Sequence, residues 1–175
     1  MLRIFQYKSH EDKDHVKNLF LEYLTWVGSM LKREYDLNYS VEDIKGIVDS
    51  DMVELGRFFP PEGRLLLAQY EDELSGCICL KKIDQEIGEI KRMYVKSQLR
   101  GKGIGRSLLE AAINEARLIG YSKIRLDSAR FMCEAHGLYY SAGFEEIEPY
   151  EESEIQGDLI PYWIFMEKDL VIPGN

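Results

Sequence analysis

Residues 95–109 read Val-Lys-Ser-Gln-Leu-Arg-Gly-Lys-Gly-Ile-Gly-Arg-Ser-Leu-Leu, and the interpretation of the whole chain starts from this stretch. Gly101, Gly103 and Gly105 stand within five residues, between a strand-like segment and the start of an amphipathic helix. Glycines allow a sharp turn and let a ligand approach the backbone closely. The free N–H groups at a helix start attract an anion. The stretch therefore predicts an anion-binding loop.

The charges around the loop favour a polyphosphate as that anion. Residues 91–106 contain six basic side chains and no acid, although the whole chain has a net charge of -9. Two common phosphate motifs do not fit. A P-loop needs a glycine where Arg100 stands and a lysine where Arg106 stands. A dinucleotide-binding Gly-x-Gly-x-x-Gly pattern fails because its last position is Arg106 or Leu108.

The spacing of apolar residues predicts an α+β, or mixed α/β, fold in a single domain spanning residues 1–175. A strand-like start precedes a long amphipathic helix with Val16 to Leu31 on its apolar face, and Ser40 caps a second helix. A further helix is predicted over 104–119, closed by Gly120, and a short one over 131–142. The predicted strands are 2–7, 64–70, 74–83, 88–96, 123–127, 144–147 and 162–168.

Composition excludes several classes of protein. The chain has 175 residues, and its net charge of -9 argues against nucleic acid and anionic membranes as partners. Three cysteines, an odd number, argue against a disulfide framework and favour a cytoplasmic location. We expect no metal, since the three histidines lack ligand spacing. We also expect Cys77 and Cys79 to point to opposite sides of their strand.

Three segments carry a family resemblance. Arg100-Gly-Lys-Gly-Ile-Gly105 resembles the Arg/Gln-x-x-Gly-x-Gly/Ala loop of the GCN5-related N-acetyltransferase (GNAT) superfamily. Residues 89–95 resemble the family's central bulged strand, and residues 135–144 its Ala-x-x-Leu-Tyr-x-x-x-Gly-Phe segment. The likeness covers about 64–170, whereas the acceptor-side helices, about 9–55, match by position only. It implies a mixed, mostly antiparallel sheet with a bulged strand and helices on both faces.

The resemblance also implies acetyl-CoA as co-substrate. In the family, the glycine loop binds the pyrophosphate and backbone groups of the bulged strand bind the pantetheine arm. The residues implied here are Met93, Tyr94, Val95, Arg100, Gly101, Lys102, Gly103, Ile104, Gly105 and Arg106. One position departs from the pattern, because many members have asparagine where this chain has Met132. One cofactor contact is therefore either missing or supplied elsewhere.

Two residues are candidates for catalysis. The resemblance makes Tyr139 the general acid for the leaving thiolate, and packing in the core is the alternative. Glu89, at the start of the bulged strand, is the candidate for removing the amine proton, directly or through water. The alternative is a glutamate at the rim of a solvated strand. Cys133 could accept an acyl group, but no His or Asp is placed by sequence to activate it, so we expect a packed thiol.

The acceptor is expected to be a small cationic amine, such as a polyamine or an amino compound without a free carboxylate, acetylated by direct attack in a ternary complex. Residues 144–165 contain seven acids and no Lys or Arg, and the resemblance places this connection beside the acceptor cleft. Such a cleft would attract cations. Solvation of a long loop is the alternative role for these acids. Other functions left open are acetylation of protein N-termini or lysines, and a non-catalytic CoA-binding sensor. A monomer or a homodimer is expected.

Overall fold

The computed structural model describes residues 1–8 and 13–171. The helices are α1 (Lys13–Tyr35), α2 (Val41–Val53), α3 (Ile104–Ile119) and α4 (Cys133–Ser141). The strands are β1 (Leu2–Gln6), β2 (Arg64–Tyr70), β3 (Glu73–Lys82), β4 (Ile87–Val95), β5 (Lys123–Ala129), β6 (Glu145–Ile147) and β7 (Trp163–Asp169). Short 3-10 turns cover Leu55–Phe58, Ser97–Leu99 and Gly157–Tyr162. The predicted start of the acceptor-side region, near residue 9, lies outside the described residues.

The seven strands form one sheet in the order β1-β2-β3-β4-β5-β7-β6. Only the β4–β5 pair is parallel among the described strands, and the other neighbours are antiparallel. The predicted α+β class with a mixed, mostly antiparallel sheet is confirmed. The predicted elements occur in the predicted order, and their ends differ by one or two residues.

Helices cover both faces of the sheet, as the resemblance implies. Alternate residues of a strand face opposite sides. Leu66 and Ile78 therefore pack with α3 and α4, whereas Leu65 and Cys77 pack with α1 and α2. This division matters for function, because it separates the side that carries the glycine loop from the side that carries the acceptor-side helices.

Local signals explain where α2 and α3 begin and end. Ser40 accepts a hydrogen bond from the backbone N–H of Asp43, and the Asp43 carboxylate accepts one from the backbone of Ser40. This reciprocal cap fixes the start of α2. Helix α3 starts after Gly103 and stops at Gly120, and both glycines adopt the left-handed conformation. The helix ends therefore follow from short-range chemistry alone.

Strand β4 carries the expected bulge. Its pairing with β3 runs from Lys82↔Gly88 to Cys79↔Lys91 and resumes at Cys77↔Tyr94, so two residues of β4 face one residue of β3. Arg92, inside the bulge, has a φ of 52°, which is uncommon for a residue with a side chain. The extra residue bends the strand and changes the direction of its later side chains.

The prediction for Cys77 and Cys79 was wrong. Residues two apart on a strand share a face, and both thiols lie in the cluster between the sheet and α1. Burial raises the pKa of the Cys77 thiol to about 12 and that of Cys79 well above its usual value. Both cysteines are therefore packed as neutral apolar groups. In residues 1–8 and 13–171, no group of three or more His, Cys, Asp or Glu side chains is placed to hold a metal, and no helix is long and apolar enough to cross a membrane.

The close approach of β3 to the bulge generates a stability prediction. A Cβ atom at Gly76 would lie 2.4 Å from the carbonyl oxygen of Tyr94, which is backbone and cannot rotate away. Gly76→Ala should therefore lower the free energy of unfolding by about 1–3 kcal/mol, as overpacking does. Denaturant titration followed by circular dichroism measures the change.

The matched control is the same substitution in α2. A Cβ at Gly46 meets no atom within 4 Å, so Gly46→Ala should raise the stability by about 0.5–1 kcal/mol through helix propensity. If Gly76→Ala is as stable as the parent protein, β3 and the bulge are not in the close contact described here.

Candidate active site

A cavity of about 980 Å³ opens where β4 and β5 part. The two strands pair over three residues only, from Ile87↔Lys123 to Glu89↔Arg125. Beyond that point Ile90–Val95 and Leu126–Ala129 line opposite walls. Helices α1 and α2 close one end, and the glycine loop with α3 and α4 closes the other. Of the predicted site residues, the lining includes Met93, Tyr94, Val95, Arg100, Gly101, Gly103, Ile104, Gly105, Arg106 and Tyr139.

The glycine loop has the backbone geometry of an anion site. Gly101 and Gly103 both have a φ of 79°, and a Cβ at either would meet no atom within 4 Å. The loop is thus open toward the cavity, and its conformation favours glycine for backbone reasons. The first turn of α3 contains no acid. The N–H groups of the first helical turn have no partner within the helix, and together with Arg106 they can hold a pyrophosphate.

The two other basic residues of the loop lie in different places. Arg100 donates from Nε to the carbonyl of Val95 at 3.1 Å, and its guanidinium lies 4.5 Å from the ring centre of Trp26 in α1. It therefore joins the loop to α1 across the mouth of the cavity. Lys102 is not part of the lining and lies over the ring of Tyr70 at 5.2 Å.

Tyr139 sits in the cavity wall on α4. Its side chain is buried and its hydroxyl donates to the sulfur of Met93, in the bulge, at 3.5 Å. Burial raises the pKa of this hydroxyl above its usual value, and the charges of Tyr23 and Asp127 act in the same direction. The hydroxyl therefore keeps its proton at neutral pH, and it points to a sulfur atom at the cavity.

Glu89 lies in a different environment. It is fully buried at the point where β4 and β5 are still paired, and it does not line the cavity. Its carboxylate forms ion pairs with Lys81 at 3.4 Å and with Lys91 at 3.7 Å. The alternative of a glutamate at the rim of a solvated strand is wrong, because pairing on both sides of β4 covers this residue. The ion pair with Lys91, which lines the cavity, connects Glu89 to it.

A buried ion cluster, which the sequence did not predict, lies between the sheet and the acceptor-side helices. Arg92 binds Asp51 of α2 through Nε at 2.6 Å and Nη2 at 3.1 Å, and binds Glu154 through Nη1 at 2.7 Å. Lys91 binds Glu154 at 3.0 Å and Asp127 at 3.2 Å. The partners are 36 to 63 residues apart, so no local sequence signal could have found them.

The cluster stabilises the charged forms of Lys91 and Glu154. Burial alone would lower the pKa of Lys91, but the charges of Asp127, Glu154 and Glu89 outweigh it and raise that pKa. Burial would raise the pKa of Glu154, but Lys91 and Arg92 outweigh it and lower that pKa. The carboxylates of Asp127 and Glu154 both line the cavity. They can therefore accept hydrogen bonds from a bound ammonium group.

The acidic connection reaches the cavity in an unexpected way. All of residues 144–165 are described, and of their seven acids only Glu154 belongs to the lining. The other six are exposed. Ile155, Leu159 and Trp163 of the same connection do line the cavity. The connection therefore contributes one carboxylate and an otherwise apolar wall.

Two residues at the start of α4 complete the lining. Met132 contacts the hydroxyl of Ser128 through its sulfur at 3.5 Å, and that hydroxyl lies 3.0 Å from Nε2 of His136. A polar pair thus stands beside the position where the family pattern has asparagine. Cys133 is exposed and lines the cavity, so the expectation that its thiol is packed is wrong.

Comparisons with known proteins identify the fold and the family. A sequence model described as "Acetyltransferase (GNAT) family" matches residues 21–144. An IAA acetyltransferase of Azospirillum brasilense is 31% identical over 77% of this chain and 86% of its own length. An uncharacterized N-acetyltransferase of Schizosaccharomyces pombe is 29% identical over 85% of both chains.

Solved structures agree with the sequence relatives. An acetyltransferase of the GNAT family from Staphylococcus aureus has a TM-score of 0.74 at 21% identity, covering 98% of this chain and all of that one. A PaiA N-acetyltransferase from Thermoplasma acidophilum, solved in complex with coenzyme A, has a TM-score of 0.74 at 22% identity and covers 97% of this chain and 99% of its own. These likenesses show a shared fold. Since the family model spans more than half of the chain, the protein belongs to the acetyltransferase (GNAT) family and is an acyltransferase.

Proposed function

We propose that this protein transfers the acetyl group of acetyl-CoA to a primary amine of a small cationic acceptor, by direct attack in a ternary complex. One observation carries the proposal. A single cavity joins the glycine loop, on the α3 side of the sheet, to Asp127 and Glu154, which face the acceptor-side helices. Two substrates entering from opposite sides would meet where β4 and β5 part.

The loop and the bulged strand supply the site for acetyl-CoA. The backbone at Gly101 and Gly103, the start of α3 and the Arg106 charge suit the pyrophosphate. Beyond Glu89 the edge of β4 is not paired with β5, so its backbone groups near Met93 and Val95 can bind the amides of the pantetheine arm. Relatives solved with coenzyme A or acetyl-CoA support this assignment. In the transition state, an N–H of the bulge would stabilise the charge on the thioester oxygen.

The amine must lose a proton before it attacks. An alkylammonium with a pKa near 10.4 is almost entirely protonated at neutral pH, which costs about 4 kcal/mol. Asp127 and Glu154 are the carboxylates that face the cavity near the ion cluster, and Lys91 links them to Glu89. We assign orientation of the ammonium group to Asp127 and Glu154. Because Lys91 and Arg92 lower the pKa of Glu154, this carboxylate is a weak base, and the proton leaves through water to solvent. Glu89 then acts through its ion pair with Lys91 and does not contact the amine.

Tyr139 is the donor for the leaving thiolate. Its hydroxyl already donates to a sulfur atom, that of Met93, at 3.5 Å. Because its pKa is raised, the group keeps its proton and stabilises the departing sulfur by a hydrogen bond. Packing is the alternative role, since the ring also contacts Phe144 at 5.9 Å between centres. The variants below separate the two roles.

The first prediction concerns the loop. Gly103→Asp places bulk and a negative charge where the pyrophosphate would lie, so the affinity for acetyl-CoA should be lost while the fold survives. Calorimetric titration with acetyl-CoA measures the affinity. Gly157→Asp is the matched control, since Gly157 also has a positive φ, of 57°, but does not line the cavity. Equal affinity in both folded variants would remove the cofactor assignment.

The second prediction concerns Tyr139. Tyr139→Phe keeps the ring and removes the hydroxyl, so kcat should fall about 100-fold while the affinity for acetyl-CoA stays nearly unchanged. Because the pKa of the Tyr139 hydroxyl is raised, its deprotonation should cause no loss of kcat in the parent enzyme below about pH 10. Tyr140→Phe, on the exposed side of α4, is the control and should keep full activity. If Tyr139→Phe turns over as fast as the parent enzyme, Tyr139 contributes to packing and not to catalysis.

The third prediction concerns the charge of the acceptor. The carboxylates of Asp127 and Glu154 favour an amine without a carboxylate of its own. An n-alkylamine should therefore have a lower KM than the ω-amino acid of the same chain length, and added salt should shrink the difference. Thiol release from acetyl-CoA measures both rates. A better KM for the amino acid, or a preference that salt leaves unchanged, contradicts the electrostatic argument.

A further inference from the structure

The acceptor side of the cavity is mostly apolar. Six side chains form what we call the apolar wall: Val27, Leu31, Ile44, Ile47, Ile155 and Leu159. They come from α1, α2 and the connection before β7, all on the side of the sheet opposite the glycine loop. The wall is therefore available to the acceptor and not to the pyrophosphate.

Sequence spacing explains why the wall exists. Val27 and Leu31 are four residues apart on α1, and Ile44 and Ile47 are three apart on α2, so each pair shares a helix face. Gly28 lies where the two helices meet, and a Cβ there would stand 3.1 Å from the end of the Ile44 side chain. The missing side chain lets α2 approach α1 and brings both pairs to one surface.

Charge is concentrated at one end of this wall. Asp127 and Glu154 lie beside Lys91 and Arg92, and Glu154 keeps 45% of its side chain exposed. The other charged residue that lines this side is Arg33, a cation on α1. A second ammonium lying along the apolar wall would meet apolar side chains or Arg33, because the remaining carboxylate of the lining, Glu134, belongs to α4 and not to α1, α2 or the connection before β7. Such burial is unfavourable.

A neighbouring opening offers acids, but most of them already have partners. It is lined by Glu42, Asp43, Asp51 and Glu154 among others. Asp43 is used in the cap of α2. Asp51 is buried and binds Arg92 and Arg57. A second cation could reach Asp43, Asp51 or Glu154 in this opening only by displacing these contacts, which leaves the exposed Glu42 as its partner there.

We propose, resting on the proposed function, that the acceptor is a monoamine with an apolar body, alkyl or aryl, rather than a polyamine. Its single ammonium group lies at Asp127 and Glu154, and its body lies along the apolar wall. The side chains of the wall select the substrate by hydrophobic burial, and the carboxylates orient the nitrogen.

The test compares matched amines by binding and by turnover. The chain has two tryptophans, Trp26 and Trp163, and both line the cavity, so their fluorescence reports amine binding without any reaction. Phenethylamine and n-hexylamine should bind at least about tenfold more tightly than hexamethylenediamine, and affinity should rise up to about fourfold with each added methylene in an n-alkylamine series. Thiol release should give the same order of kcat/KM.

Variants test whether the preference for a monoamine over a diamine comes from the apolar wall. Ile47→Asp should reduce the preference of n-hexylamine over hexamethylenediamine by about tenfold, because it adds a carboxylate where the second cation would lie. Val53→Asp, at the exposed end of the same helix, should leave the preference unchanged. Leu159→Asp, from the other side of the wall, gives the same test if Ile47→Asp does not fold.

The outcomes separate this inference from the proposed function. Tighter binding of the diamine, or a preference that neither Ile47→Asp nor Leu159→Asp alters, overturns the inference even if the enzyme acetylates amines. Tight binding of monoamines without thiol release supports the inference and contradicts the proposed function.

Discussion

The parting of β4 from β5 is the constraint on which the rest of the structure depends. The two strands share only three paired residues before they separate, and the bulge at Arg92 turns β4 away at the same level. Arg92 holds an uncommon backbone conformation, and its guanidinium is fixed by Asp51 and Glu154. The ion pairs thus stabilise a strained residue and tie α2 and the last connection to the opening. Both halves of the cavity take their shape from this arrangement.

The buried ion pairs are better explained by the charges that they orient in the cavity wall than by a contribution to the stability of the fold. Removing charges from water costs several kcal/mol for each ion, and pairing often only offsets that cost. The side chains of Lys91 and Arg92 are nevertheless buried, and together they meet four carboxylates, of which only Glu154 is well exposed. What the arrangement provides is a fixed set of charges in the cavity wall, with directions set before a substrate arrives. Such preorganised charge is what an acetyl-transfer site needs, since orienting groups after binding would cost free energy.

The sequence predicted the features that depend on near neighbours. The glycine loop, the cap at Ser40 and the helix end at Gly120 all follow from residues within a few positions. It did not predict the ion cluster, because Arg92 and Glu154 meet only after the chain has folded over 62 residues. It also misplaced Glu89, since a strand-end carboxylate looks exposed until both neighbouring strands are known. The sequence also predicted that the acids of residues 144–165 lie beside the cavity, but of these seven acids only Glu154 lines it.

Direct transfer within a ternary complex is the central claim, and initial-rate kinetics test it most directly. The exposed Cys133 in the cavity lining makes the alternative, an acyl-cysteine intermediate, physically accessible. Rates of thiol release would be measured while acetyl-CoA and phenethylamine are both varied. The account predicts double-reciprocal lines that intersect, and acetylated phenethylamine formed in equal amount to free thiol. Parallel lines, or thiol release that does not depend on the amine, would contradict it.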